Sequence, residues 1–87
     1  MALSFPNRSR SYDASGYRIR FWGHDGAMEV AFFLEEGAVF RFDPRTRRDE
    51  AGILQVFDAN RIRILEVAAR AYSRTRRHSY VLAAADF

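Results

Sequence analysis

The residues DEAGILQVFDANRIRILEVAARAYSR, Asp49 to Arg74, decide the fold. At ~100° per residue, Ile53, Leu54, Phe57, Ile64, Leu65, Ala68, Ala71 and Tyr72 fall on one side of a helical cylinder. Gln55, Asp58, Glu66, Arg70 and Ser73 fall on the other. The spacing predicts one long amphipathic helix, capped by Asp49 alone or with Thr46. A lone helix of this kind is marginal in water until its apolar stripe is buried. The rest of the chain must supply the surface that buries it.

That surface is legible upstream. Tyr17–His24 and Ala27–Leu34 are two alternating runs around Asp25-Gly26, a dipeptide suited to both positive-φ positions of a type I′ hairpin turn. A two-residue loop there sets His24 opposite Ala27, Phe21 opposite Val30, Ile19 opposite Phe32 and Tyr17 opposite Leu34. The last three pairs are apolar and share a face, with Met28 beside them. This is the expected seat of the helix stripe. The opposite face carries Arg18, Arg20, Trp22, Glu29, Ala31 and Phe33. A tryptophan and a phenylalanine among arginines are its unusual feature.

The remaining segments fill in around this pair. Leu3 and Phe5 alternate with small or polar neighbours, which predicts a short edge strand stopped by Pro6. Asn7 to Gly16 is polar and turn-rich, a predicted loop pinned to the body by Tyr12. Glu35 to Phe42 fits either a helical turn or a third strand by pattern alone. DPRTRR, residues 43–48, reads as a charged loop, and His78 to Ala83 as a last short strand. The expected fold is α+β in two layers and one domain over residues 1–87. A mostly antiparallel sheet of three to four strands, with one tight hairpin, carries one long helix and a short helix on one face.

Composition narrows the function classes. The chain has no cysteine, which excludes disulfides and thiolate metal sites and fits a reducing compartment. No stretch approaches the ~20 apolar residues of a membrane span, and the first dozen residues lack a signal-peptide core, so a cytoplasmic domain is expected. All 14 basic residues are arginine, and alanine occurs 13 times. Codon bias in a GC-rich genome produces that combination, which discounts the high pI as a sign of nucleic-acid binding. The charge is nonetheless polarised. Arg70, Arg74, Arg76 and Arg77 gather at the end of the long helix.

Several residues together resemble a known family. They are Phe5-Pro6, Tyr12-Asp13, Ile19-x-Phe21, Phe57-Asp58-Ala59-Asn60-Arg61, Ala68 with Tyr72, Tyr80-x-Leu82, and Asp86-Phe87. Over essentially its whole length the chain resembles the small bacterial family catalogued as domain of unknown function 1488. The resemblance implies the order strand, strand, strand, short helix, long helix, strand, and so tips Glu36–Phe42 towards a helix. It carries over no catalytic or binding residue.

Residues that could carry chemistry are few and scattered. His24 and His78 lie at a hairpin tip and a strand start, far apart and without ligand spacing, so no metal or cofactor is expected. Ser79 beside His78 would point to the opposite strand face, and no glycine-rich phosphate loop precedes a helix. An enzyme is not expected. Arg61 projects about 80° from Ile53, inside the apolar arc. It is read as snorkelling and pairing with Asp86, Asp58 or Asp25, the alternative being an anion site between helix and sheet.

The expected function is a non-enzymatic binding or regulatory module acting through a protein–protein interface, with a homodimer as one form. Its candidate face is Arg18, Arg20, Trp22 and Phe33, residue types found at interface hot spots. The alternative is a nucleic-acid-associated module in which the same residues stack bases, flanked by Arg70, Arg74, Arg76 and Arg77. A blander reading lies beside both: Phe5, Tyr12 or the tail folds over Trp22 and Phe33 and buries them.

Overall fold

The structure is a computed structural model and describes residues 3–6 and 8–87. Met1, Ala2 and Asn7, the first residue of the expected loop, lie outside the described residues. The strands are Leu3–Ser4 (β1), Arg10–Asp13 (β2), Arg18–Asp25 (β3), Met28–Glu35 (β4) and Ser79–Leu82 (β5). The helices are Glu36–Phe42 (α1), Glu50–Ala59 (α2) and Arg61–Arg74 (α3), with a 3-10 turn at Ala84–Asp86.

The central hairpin pairs β3 with β4, but in a register two residues from the expected one. Asp25 closes on Met28, Phe21 lies opposite Phe32, and Ile19 opposite Leu34. The loop is thus Gly26-Ala27, not Asp25-Gly26. Gly26 has φ +62°, and Ala27 is not among the described positive-φ residues. A positive φ at the first central position alone is what a type II′ turn requires, with glycine there. A slip of two preserves which face each side chain takes, so the expected core face survives. The packing shows why this register wins. Phe21 stacks on Phe32 at 5.3 Å, and Phe32 on Tyr80 at 5.2 Å, a ladder of rings across β3, β4 and β5. Each such pair is worth about 0.5–1.5 kcal/mol beyond burial.

Two residues expected in the core pay for that shift. Tyr17 falls beyond the ladder, in a left-handed conformation (φ 51°), and is exposed, as is Met28. The Asn7–Gly16 loop is also corrected, because Arg10–Asp13 forms β2 and pairs with β3 from Arg10–Phe21 to Asp13–Arg18. Its inward positions are Arg10 and Tyr12, so no apolar alternation announced it. The turn after it is built by Asp13, which accepts from Ser15 Oγ (2.7 Å) and Gly16 N (3.3 Å).

β4 runs directly into α1, which settles Glu36–Phe42 as helix. The helices then carry the chain over one face of the sheet and return it as β5, parallel to β4. Asp49 caps α2 by accepting from Gly52 N at 2.7 Å, while Thr46 donates to Asp43 O at 2.6 Å instead. The expected long helix is interrupted at Asn60, whose φ −113° and ψ 17° are not helical. Its carboxamide donates back to Val56 O at 2.9 Å, the competition with helical geometry typical of asparagine. The helical phase nevertheless survives, because Ile53, Phe57, Arg61, Ile64, Ala68 and Tyr72 are all buried. The apolar ones close on Ile19, Phe21, Val30, Phe32 and Leu34 in one core.

Candidate functional site

The alternation that buries Ile19, Phe21, Val30, Phe32 and Leu34 turns the intervening residues to the sheet's other face. Register arranges them in rows across the strands. Asp13, Arg18 and Glu35 form one row; Ser11, Arg20, Phe33 and Val81 form the next. Trp22, Ala31 and Ser79 follow, then Ser4, His24 and Glu29. The structure therefore brings Arg18, Arg20, Trp22 and Phe33 together as expected. Sequence reasoning missed Val81, which is 55% exposed and extends the apolar strip onto β5. Its signal was its alternation with Leu82 on the last strand.

The arginines of this face are held over its rings. The Arg18 guanidinium lies 4.0 Å from the Phe33 ring centre and 3.1 Å from Asp13. That of Arg20 lies 5.3 Å from the Trp22 ring centre, with an oxygen of Glu29 at 3.8 Å. Cation–π contacts at such exposed sites contribute about 0.5–1 kcal/mol each. Hydrogen bonds from Ser15 and Arg18 hold the Asp13 carboxyl below its usual range. Glu35 is exposed, and among the described residues no hydrogen bond or ion pair holds its side chain.

Among the described residues, the segments expected to cover Trp22 and Phe33 pack elsewhere. Phe5 lies on the buried face, 6.2 Å from Phe21 and 5.8 Å from Phe32. Tyr12 donates to the Glu36 carboxylate on α1, which pushes its phenol up to about 12. Phe87 meets Phe42 edge-on at 5.0 Å. Trp22 and Phe33 remain partly exposed.

The residues of the expected basic flank are spread over the helical layer and the hairpin-tip end of β3. Arg70 and Arg74 border a small cleft of about 100 Å³ with Val67, Leu82 and Asp86, on the helical layer. Arg76 sits 3.9 Å from Asp25 and over the Tyr72 ring. Asp25 and Arg18 are the two ends of β3, about 23 Å apart at the rise of an extended strand. Arg77 is exposed beyond α3, its amide donating to Tyr80 Oη at 2.8 Å. Arg61 is buried and pairs with Asp58, one of the three acids expected, at 3.2 Å; it also donates to Arg8 O at 2.9 Å. No group of three or more metal-ligating side chains occurs among the described residues, and no described helix is long and apolar enough to cross a membrane.

Fold and face together define a two-layer α+β domain: helices cover one side of a mixed sheet, and the other side carries arginines, a tryptophan and a phenylalanine. The chain belongs to the family described as protein of unknown function (DUF1488), whose model matches residues 3–82. Its structure is similar to the crystal structure of a DUF1488-family protein of unknown function from Shewanella loihica PV-4. The TM-score is 0.82 at 13% identity, over 93% of this chain and 91% of that one. No curated protein matches the chain.

Proposed function

We propose that this domain is a non-enzymatic binding module that acts through a protein–protein interface on the outer face of its sheet. The observation that carries the reading is the face itself, where Trp22, Phe33 and Val81 lie with no second layer of described residues over them. Helices that return the chain on one side only leave a sheet half-covered, and a half-covered sheet is ordinarily polar on its wet side. Here aromatic and arginine side chains of the kind enriched in interface cores occupy it. A single-stranded nucleic-acid platform on the same residues is less well supported, because Arg18 and Arg20 are each faced by an acid within the sheet. Phosphate binding needs cations free to release counterions.

The test is a photo-crosslinking side chain placed in living host cells at position 81, with position 66 on α3 as the control. The reading expects protein adducts from 81 and few from 66. Equal labelling, or none from 81, overturns it.

A further inference from the structure

Resting on that reading, we infer that the partner of this face is a second copy of the same chain, related by a two-fold axis parallel to the strands between β3 and β4. The charge pattern selects both the partner and the axis. Outward positions of β3 are Arg18, Arg20, Trp22 and His24, a row with two arginines and no acid. Those of β4 are Glu29, Ala31, Phe33 and Glu35, a row with two acids and no base. A two-fold axis along the strands lays β3 of one copy over β4 of the other and keeps the level of each row. An axis across the strands would lay β4 on β4 with the rows reversed and set Glu29 against the partner's Glu35, which repulsion disfavours.

Each row then finds a complement. Arg18 meets the partner's Glu35, whose side chain has no ion-pair partner among the described residues, and His24 meets the partner's Glu29. Trp22 meets the partner's Ala31, large against small, and Arg20 meets the partner's Phe33, cation against ring. At this level the sheet runs β2, β3, β4, β5. The same axis therefore places Val81 over the partner's Ser11. Two eight-residue strands flanked by the shorter β1, β2 and β5 give a patch of roughly 400 Å² per copy, at the small, transient end of association. The dimer is consequently weak and reversible, and aligned packing of the two sheets accommodates their twist.

The experiment uses the full chain, whose monomer mass is 10.1 kDa. Light scattering from about 1 µM to 1 mM spans the range in which an interface of this size dissociates. It should show mass rising towards twice the monomer value. Arg18→Glu and Glu35→Arg should each weaken association about tenfold, and the double reversal should restore it. Circular dichroism confirms that each variant is folded. Independently of those variants, a photo-crosslinker at position 81 should join two copies at the peptide containing Ser11. A crosslink to the second copy's helices, or a double reversal no better than the singles, overturns the self-pairing. Adducts from 81 to a different protein, with a chain monomeric to 1 mM, overturn the self-pairing and leave the interface reading standing. No adduct of any kind overturns both.

Discussion

Arg10 on β2 grips Asp58 near the end of α2 with two parallel hydrogen bonds, Nε to Oδ1 at 3.0 Å and Nη2 to Oδ2 at 2.8 Å. Arg61 adds a third contact to the same carboxylate at 3.2 Å. One acid near the α2–α3 junction thus ties the edge of the sheet to both helices.

Replacing Asp58 by alanine leaves the buried Arg61 with Arg8 O as its remaining hydrogen-bond acceptor among those above. The exposed Arg10 pair contributes little by itself, so most of the loss comes from Arg61. It should total about 1–3 kcal/mol. The hydrogen bond from Arg10, then the charges of Arg10 and Arg61, hold the Asp58 pKa below its unfolded value. A depressed carboxylate stabilises the fold above its unfolded pKa and loses that contribution as pH falls through the folded one. Thermal melts between pH 7 and pH 3 should therefore fall less steeply in Asp58→Asn than in the parent. Equal slopes would remove Asp58 from the acid limb.

Gly52→Ala reverses the usual rule. Alanine is better than glycine by about 1 kcal/mol inside an exposed helix. Here a Cβ would lie 2.8 Å from the backbone oxygen and from Cβ of Arg47, inside contact distance of a segment that cannot swing away. Displacing that segment also disturbs the Asp49 cap. The substitution should destabilise by about 1–3 kcal/mol in urea titration, and a more stable variant would contradict the packing described.

The turn position is tested at Gly26. A Cβ there meets nothing within 4 Å, so the penalty is conformational alone. Gly26→Ala should cost about 1–2 kcal/mol for placing alanine at φ +62°. Gly26→Asn should cost less, because asparagine tolerates that region. Amide exchange should show the Asp25–Met28 pair closing the ladder in the parent.

Tyr12 sets an alkaline limit. Its hydrogen bond to Glu36, then burial, push its phenol up to about 12 from an ordinary value of 10.0. A raised folded pKa stabilises fully below the unfolded pKa and is lost as pH rises through the folded one. Phenolate absorbance from Tyr12 should thus appear only near pH 12, and Tyr12→Phe should remove one tyrosine from the late component, leaving Tyr72, which its hydrogen bond to Asp25 also holds up. Amplitude lost near pH 10 instead would show that the hydrogen bond is not formed in solution.

Much of the architecture was legible because side-chain periodicity is a local property. A period of 3.6 placed Ile53, Phe57, Ile64, Ala68 and Tyr72 on the core side, and a period of 2 did the same for Ile19, Phe21, Val30, Phe32 and Leu34. Arg18, Arg20, Trp22 and Phe33 emerged as one face for the same reason. What periodicity could not distinguish were registers differing by two, since both keep every residue on its side. That choice fell to the ring ladder of Phe21, Phe32 and Tyr80, two of whose members are 48 residues apart. β2 stayed hidden because its inward residues, Arg10 and Tyr12, are satisfied by Asp58 and Glu36, partners that exist for them only once helices and sheet have met. The exposure of Trp22 and Phe33 was decided in the same way: folding drew Phe5, Tyr12 and Phe87 to other contacts. Local pattern determined which way each side chain points, and tertiary contact alone decided what it finds there.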